Sequence, residues 1–283
     1  MAICKVRPER GGDSFAILAA CGSDGVREED GLSILRVTKL TKMYGTKGQG
    51  GMAKALNGID LDVGEGEFVG VMGPSGSGKT TLLSLLAGLD RPTSGGIWLD
   101  GRDMTKMGAA DLARFRRREL GFVFQDFNLL DALTLAENVA LPLALDGHRG
   151  RRLDERVSGI LSDLGLSDVI DRYPYEVSGG QQQRAAVARA IVHQPKLVLA
   201  DEPTGNLDSA SAQTLLQLFR QLHEKRRSTL LMVTHDPLSA SYCERIVFIR
   251  DGMVFSELDR SGDRHAFFQE ILRALSVLEG VRQ

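Results

Sequence analysis

Cysteine is scarce in this sequence, and its spacing supports neither a disulfide framework nor a zinc site. The 283 residues include three cysteines, at positions 4, 21 and 243, which is an odd number without the close pairs that bind zinc. Such a chain must be held together by its hydrophobic core, and 42% of apolar residues suffice for one. This use of cysteine is typical of a reducing compartment.

A recognisable export signal is also lacking near the N-terminus. Residues 18–21 (Leu-Ala-Ala-Cys) have the form of a lipoprotein cleavage box. However, the apolar stretch at residues 15–20 is shorter than the roughly 7 to 15 residues of an export-signal core, and Asp13 adjoins it. We therefore expect residues 1–31 to be a disordered extension, or to precede the true start of the protein.

Neither an excess of one charge nor a long apolar run is present. Lysine and arginine total 35 against 37 acidic residues, so the chain has no overall basic field for nucleic acid. No apolar run approaches the roughly 18 residues that a bilayer crossing needs. We therefore expect no direct binding of nucleic acid, and contact with a membrane only through a partner.

A glycine-rich loop between a predicted strand and a predicted helix is the first functional motif. The pattern GxxxxGK[ST] follows the apolar run at residues 68–72 and precedes leucines at helical spacing. In such a loop the backbone N–H groups converge on phosphate, the lysine reaches the β- and γ-phosphates, and the next hydroxyl binds Mg²⁺. The predicted ATP-binding residues are Gly73, Pro74, Ser75, Gly76, Ser77, Gly78, Lys79, Thr80 and Thr81, with Thr80 also a Mg²⁺ ligand.

Two carboxylates follow a second apolar run. Residues 197–200 are all apolar, which is typical of a buried parallel strand, and Asp201 and Glu202 come directly after them. An aspartate at the carboxyl end of such a strand can bind Mg²⁺, and a glutamate can polarise the attacking water as a general base. We predict these two roles for Asp201 and Glu202.

The stretch at residues 177–181 (Val-Ser-Gly-Gly-Gln) resembles the signature sequence of ABC-type ATPases, with valine where leucine is commoner. It precedes a helical stretch, so that a serine, glycine N–H groups and a helix start form a second phosphate-binding surface. The resemblance implies that Ser178, Gly179, Gly180 and Gln181 contact ATP held by a second copy, so that two copies close head to tail around the nucleotide.

Four further positions match motifs of this family. Gln125 matches the glutamine that touches Mg²⁺ and the attacking water, and His235 matches the switch histidine at the γ-phosphate. Asp208 ends the loop that crosses the dimer, and Tyr44 lies where an aromatic ring contacts adenine, although ordinary packing is an alternative for Tyr44. The resemblance thus implies that Glu202, His235, Gln125 and Lys79 are catalytic and that Thr80, Gln125 and Asp201 bind metal.

The implied fold is α/β, a P-loop NTPase (RecA-like) core with an antiparallel β subdomain and an inserted α-helical subdomain that carries the signature. Apolar runs at residues 34–37, 59–63, 68–72 and 97–99 favour the antiparallel layer, helical spacing favours a subdomain at about 125–194, and strands are predicted again at 197–200, 229–233 and 245–249. We assign residues 32–259 to the ATPase domain and residues 260–283 to a C-terminal helical tail.

Residues 126–130 are apolar in part and follow Gln125 directly. Exposed apolar side chains at such a place indicate a partner surface, and in the family this surface receives a short cytoplasmic helix of the membrane subunit. The alternative is plain packing under the helical subdomain.

Residues 32–259 resemble the ATPase subunits of the lipoprotein-release and macrolide-export group, above all the bacitracin-resistance (Bce-type) ATPases. The resemblance implies an ATP hydrolase that dimerises around Mg·ATP on the cytoplasmic face of the plasma membrane and drives a permease handling an antimicrobial peptide. Alternatives are lipoprotein release, macrolide export, a gating ATPase of the cell-division type, and a soluble ATPase acting on DNA or ribosomes. The substrate, its direction of movement and the permease are left open.

Overall fold

Two β-sheets, eight α-helices and three short 3-10 helices lie in the part of the chain that the computed structural model describes, residues 5–6, 33–45 and 53–280. The strands are β1 (Lys5–Val6), β2 (Ser33–Tyr44), β3 (Ala53–Gly64), β4 (Phe68–Met72), β5 (Ser94–Leu99), β6 (Arg102–Asp103), β7 (Leu120–Val123), β8 (Leu197–Asp201), β9 (Leu230–Val233), β10 (Arg245–Arg250) and β11 (Met253–Asp259). The helices are α1 (Lys79–Leu86), α2 (Ala109–Glu119), α3 (Leu135–Leu145), α4 (Arg151–Asp163), α5 (Gly179–Ile191), α6 (Ser209–Arg226), α7 (Pro237–Ala240) and α8 (Arg264–Gly280).

The larger sheet has seven strands in the order β1-β11-β10-β4-β9-β8-β7. The five strands from β10 to β7 run parallel, and β11 and β1 add antiparallel strands at one edge. Continuous apolar runs without alternation form the parallel strands, because helices cover both faces of such a sheet. The predicted strands at residues 197–200, 229–233 and 245–249 are thereby confirmed.

The smaller sheet has four strands in the order β3-β2-β5-β6, and its neighbours are antiparallel. The apolar runs at residues 34–37, 59–63 and 97–99 lie in it, as predicted. The assignment of residues 68–72 to this layer was wrong, because β4 pairs in parallel with β9 and β10 in the larger sheet. All five residues of β4 are buried, which is the pattern of a central parallel strand rather than of a strand with one solvated face.

The two faces of β4 divide the core into two clusters. Phe68 and Met72 face a cluster that includes buried residues of α3, α5, α6 and α8, whereas Val69 and Val71 face a cluster shared with α1, α2 and the smaller sheet. Because side chains alternate along a strand, one five-residue segment contributes to both clusters. The loop that follows β4 is therefore anchored to a strand packed on both sides.

Helices α3, α4 and α5 lie between β7 and β8. They fall within the range of about 125–194 for which we predict a helical subdomain. Thr134 caps α3 through a reciprocal capping box with Glu137, and the apolar faces of α3 and α4 join the cluster beside α5.

The described ends of the chain also contact the larger sheet. Lys5 and Val6 pair with Glu257 and Ser256, whereas the rest of the predicted disordered extension at 1–31 lies outside the described residues. Helix α8 occupies most of the predicted helical tail and buries Phe267, Ile271 and Leu278. Among the described helices, none is both long and apolar enough to cross a bilayer.

Arg245 joins the two sheets through a largely buried ionic cluster. Its guanidinium donates two hydrogen bonds to Glu67, at 2.7 and 3.2 Å, one to Glu257 at 2.8 Å, and one to the carbonyl oxygen of Asp62 at 2.7 Å. Burial by itself lowers the pKa of the guanidinium, but Glu67 and Glu257 outweigh it and raise that pKa. The cluster connects β3, β10 and β11 with the residue before β4.

Replacing Arg245 by leucine should destabilise the fold by about 3 kcal/mol, because two carboxylates lose a buried cationic partner. Urea unfolding monitored by circular dichroism measures this loss. The control is Arg220→Gln, which removes an exposed ion pair to Glu224 and should cost about 0.5 kcal/mol or less. Equal losses in the two variants would contradict a structural role for the Arg245 cluster.

Candidate nucleotide-binding and catalytic site

The predicted site residues of the core meet at the carboxyl edge of the parallel sheet. Strands β4, β9 and β8 are adjacent, and Val233 pairs with both Val71 and Asp201. The segments that follow these strands therefore start side by side. They carry the glycine loop, His235 and Glu202 respectively.

The glycine loop turns back on itself before α1 begins. Gly76 and Gly78 have φ values of +78° and +102°, a region in which glycine is favoured. A Cβ atom on Gly78 would come within 2.5 Å of the carbonyl oxygen of Ala55. The close approach of the loop to β3 thus requires glycine at this position.

Lys79, the first residue of α1, points back into the loop. Its Nζ atom donates to the carbonyl oxygens of Gly73 and Pro74, at 2.9 and 3.0 Å. Burial lowers the pKa of this amine, while Glu202 and Asp201 act in the opposite direction. The ammonium therefore lies under the loop, next to the two predicted carboxylates. Thr80 and Thr81 follow it in the first turn of α1.

Two buried oxygen atoms at this edge have no hydrogen-bond partner within the described part of the chain. They are Ser77 Oγ and Asp201 Oδ1. Burial raises the pKa of Asp201, the Glu202 carboxylate raises it further, and Lys79 lowers it. A buried carboxylate oxygen without a donor, at the sheet edge that also carries the glycine loop, fits Mg²⁺ held together with phosphate, because Mg²⁺ is commonly held by one or two carboxylates and phosphate oxygens.

Glu202 and His235 are in direct contact. Oε2 of Glu202 lies 2.9 Å from Nδ1 of His235 and accepts a hydrogen bond from the His235 backbone N–H at 3.3 Å. Glu202 has a φ of +45°, and a non-glycine residue held in this region is a feature that clusters at functional sites. The Glu202 side chain is mostly buried, whereas that of His235 is 73% exposed, so the pair lies at the surface of the edge.

Gln125 lies against the loop at residues 205–208. Its Nε2 atom donates to Oδ1 of Asn206 at 3.4 Å, and Nδ2 of Asn206 donates to the Gln125 carbonyl oxygen at 3.3 Å and to Oδ1 of Asp126 at 2.7 Å. A Cβ atom on Gly205 would come within 2.9 Å of Gln125 Nε2, so a side chain at residue 205 would displace the Gln125 amide.

The signature residues form the start of α5. Ser178 caps the helix by accepting a hydrogen bond from the Gln181 N–H at 3.3 Å, and the Gln181 side chain accepts one from the Ser178 N–H at 2.9 Å. These two hydrogen bonds join Ser178 and Gln181 to each other and do not involve the glycine loop. Gly180 is buried against Ser211, and Asp208 caps α6. The structure thus groups Ser178, Gly179, Gly180 and Gln181 with Asp208.

Tyr44 lies at the end of β2, is 43% exposed, and is tied to the residues after α1. Its hydroxyl donates to Asp90 Oδ2 at 3.0 Å, and the Lys42 ammonium, itself bound to Asp90, lies 4.8 Å from the ring centre. The ring is therefore oriented by its neighbours and still partly open to a planar ligand.

Sequence reasoning did not single out several polar residues that arrange this site. Asn206 holds Gln125, Ser211 donates to Asp208 Oδ2 at 2.6 Å, and the buried Ser239 donates to Asp236 Oδ2 at 2.6 Å and contacts Thr204 Oγ1 at 3.1 Å. Ser211 and Ser239 each lie three residues after an aspartate that caps a helix, which was the only available signal for them. The contacts of Asn206 with Gln125 and of Ser239 with Thr204 join segments far apart in sequence, and no local pattern indicated them.

A strand-to-helix glycine loop with a buried lysine, beside an acidic strand end and a carboxylate–histidine pair, defines a phosphate-loop nucleotide hydrolase. The sequence profile described as "ABC transporter" matches residues 56–205. The chain belongs to the ABC transporter family, as one of its ATP-hydrolysing subunits.

Individual relatives cover most of this chain. It is 53% identical to the ABC transporter ATP-binding protein YvcR of Bacillus subtilis, over 88% of this chain and 96% of that protein. It is 47% identical to the bacitracin export ATP-binding protein BceA of Halalkalibacterium halodurans, over 89% and 99%. Among solved structures, the dimeric post-hydrolysis ATP-binding cassette MJ0796 with ADP and Pi has a TM-score of 0.73 at 39% identity, covering 81% of this chain and 99% of that one.

Replacing Gly180 by alanine should lower ATPase activity by roughly tenfold or more, because the new Cβ would lie 2.6 Å from Ser211 Oγ and displace the start of α5 from α6. Gly159→Ala is the matched control, since outside its own helical turn no described atom lies within 4 Å of the added Cβ, and it should stabilise α4 by about 0.5 to 1 kcal/mol. Steady-state ATPase assays and urea unfolding check both variants. Wild-type turnover by Gly180→Ala would contradict the close packing of the signature turn.

Proposed function

We propose that two copies of this chain bind two Mg·ATP between them, each nucleotide lying on the glycine loop of one copy and facing the start of α5 of the other. The observation that carries this proposal is the helix start itself. Ser178 and Gln181 satisfy each other, and the N–H groups of this turn remain directed along the helix axis, where an anion binds favourably. The likeness to the dimeric cassette MJ0796, which contains ADP and Pi, supports the same arrangement.

The glycine loop and Lys79 hold the phosphates in this proposal. Residues 73–78 supply converging N–H groups, and the Lys79 ammonium exchanges its carbonyl partners for β- and γ-phosphate oxygens. Thr80, Asp201 and Gln125 would hold Mg²⁺, which when bound neutralises phosphate charge and orients the β- and γ-oxygens. Tyr44 offers its open ring face to adenine.

Glu202 is the proposed general base. It orients water at the γ-phosphorus and accepts its proton, while the contact with His235 fixes the carboxylate and brings the imidazole to the γ-phosphate. The hydrogen bonds between Gln125 and Asn206 connect this centre to the loop at residues 205–208. Asp208, the last residue of that loop, lies at the proposed dimer interface. Most of the acceleration then comes from positioning and charge neutralisation, because phosphoryl transfer needs little covalent chemistry from protein.

Replacing Glu202 by glutamine should retain ATP binding, lower turnover by about 10²-fold or more, and trap a dimer in Mg·ATP. Size-exclusion chromatography with light scattering and an ATPase assay measure these effects. The matched control is Glu202→Gln combined with Lys79→Ala, which should stay monomeric because phosphate binding is lost. A Glu202→Gln protein that remains monomeric with Mg·ATP and beside its permease would overturn the sandwich dimer.

A membrane permease is the proposed partner, and the chain acts at the cytoplasmic face of the membrane through it. Residues 126–130, which we name the docking loop, expose Leu130 at 52% and leave Phe127 and Leu129 partly exposed. On the neighbouring segment, which hydrogen-bonds to the start of α3, the rings of Tyr173 and Tyr175 stack at 5.6 Å and are exposed. An apolar and aromatic surface of this kind fits a short helix of a membrane subunit.

We further propose that the permease exports or detoxifies an antimicrobial peptide of the bacitracin type. The support is the length of the aligned region, because the alignment with BceA covers 99% of that protein. The macrolide export protein MacB of Syntrophobacter fumaroxidans is equally identical at 47%, but only over 74% of this chain and 29% of that protein. The longer match favours the peptide over the macrolide.

Deleting the gene for this chain should increase sensitivity to bacitracin, and the wild-type gene should restore resistance. Complementation with Glu202→Gln should fail although the protein accumulates normally, because turnover drives the permease. Minimum inhibitory concentrations of bacitracin and of a macrolide, measured on the same strains, separate the two substrate classes. A change confined to the macrolide would contradict the peptide assignment while leaving the ATPase assignment intact.

A further inference from the structure

The docking loop contains two successive residues with left-handed backbone. Phe127 has a φ of +61° and Asn128 a φ of +50°, and neither is glycine. Asparagine tolerates this region, whereas a bulky residue such as phenylalanine rarely adopts it. The surrounding structure must therefore hold the loop in this conformation.

Arg189, in the last turn of α5, supplies that restraint. Its Nη1 atom donates to the Asn128 carbonyl oxygen at 2.6 Å and its Nη2 atom to the Phe127 carbonyl oxygen at 3.0 Å. Successive carbonyls point to opposite sides of an extended strand but to the same side of a helically wound segment. The planar fork of one guanidinium can therefore bind both carbonyls while the loop keeps its turned, positive-φ conformation, and an extended loop would lose at least one of the two hydrogen bonds.

The Phe127 ring fastens the same loop to the other end of α5. Its Cζ atom lies 3.6 Å from the position that a Cβ on Gly179 would occupy, and Leu207 Cδ2 lies 3.9 Å from that position. Phe127 thus lies along α5, with its ring at the signature turn and its carbonyl oxygen on Arg189. The docking loop is attached to the helix that begins with Ser178 and Gly179.

The loop has two further anchors. At its start, Asp126 accepts a hydrogen bond from Asn206 at 2.7 Å. Asn206 also donates to the carbonyl oxygen of Gln125. At its end, the buried Asn138 of α3 accepts a hydrogen bond from the Leu130 N–H at 2.8 Å and donates one to the Leu130 carbonyl oxygen at 3.0 Å. Between these anchors, the Asn128 N–H donates to the Asp126 carbonyl oxygen at 2.5 Å, and this tight turn and the Arg189 fork together hold the backbone conformation.

We infer that Arg189 is a positioning residue, which holds the docking loop in its left-handed form against α5. The held loop keeps Gln125 in place for ATP hydrolysis. It also moves together with the signature turn, because both are attached to the same helix. The inference rests on the proposed function for its activity readout. Arg189 is distant from the proposed nucleotide site and lies about ten positions along the chain from the signature residues. It acts through the backbone of another segment, the docking loop.

The test compares four variants of the full-length chain. Arg189→Gln should lower kcat by roughly 10- to 100-fold and leave the Kd for ATP within about twofold, because the glycine loop lies on other elements. Asn128→Val keeps Arg189 but places a β-branched residue at positive φ, and should lower kcat similarly. Adding Asn128→Gly to Arg189→Gln should restore kcat at least in part, because glycine adopts the left-handed form without the restraint. Arg151→Gln, which removes an arginine from an exposed pair with Glu155, is the control and should stay within about twofold of wild type.

Hydrogen exchange gives a readout independent of turnover. The amides of residues 126–130 should exchange faster in Arg189→Gln than in wild type, while those of β4 and α1 stay unchanged. If Arg189→Gln does not fold, Asn128→Val carries the test with the arginine in place. Wild-type kcat in Arg189→Gln or in Asn128→Val would overturn the inference. Absence of ATP turnover by the wild-type chain, alone and with its permease, would instead overturn the proposed function.

Discussion

The register of three parallel strands is the constraint on which the rest of this structure depends. Because β4, β9 and β8 end side by side, a lysine and two carboxylates from segments far apart in sequence are brought together at one sheet edge. Burial opposes the charge on Lys79 and on Asp201, while each favours the charge on the other. An anion on the loop and a cation on the carboxylate would complete this balance of charge, and the proposed Mg·ATP would supply both.

Helix α5 connects this edge with the surface of the molecule. Its first turn presents Ser178 and Gly179, its middle contributes Ala185 and Ala188 to the core, and its last turn holds the docking loop through Arg189. A helix is stiff along its axis, so in the proposed mechanism a displacement at the signature turn would reach the loop without a change in local structure. In the proposed dimer, binding of ATP by one copy and movement of the permease surface on the other are therefore mechanically linked.

Local patterns predicted a large part of this architecture. The apolar runs at residues 197–200 and 245–249 formed parallel strands because they lack alternation, and helices α3, α4 and α5 lie within the range of about 125–194 that has helical spacing. The run at residues 68–72 has the same character but was assigned to the wrong sheet, because pairing partners distant in sequence decide which sheet a buried strand joins. The pairing of Lys5 and Val6 with β11 was not predicted for the same reason.

The sequence by itself determined the chemistry: the spacing of the glycine loop, the Asp201–Glu202 pair and the signature stretch identifies an ABC-type ATPase, because phosphate binding requires specific residue types at fixed local spacing. Only the tertiary structure decided how these motifs contact one another. The Glu202–His235 pair, the Asn206 bridge to Gln125 and the Arg189 fork each join segments separated by 30 or more residues in sequence, and such contacts follow from sheet register and helix packing, which local pattern does not specify.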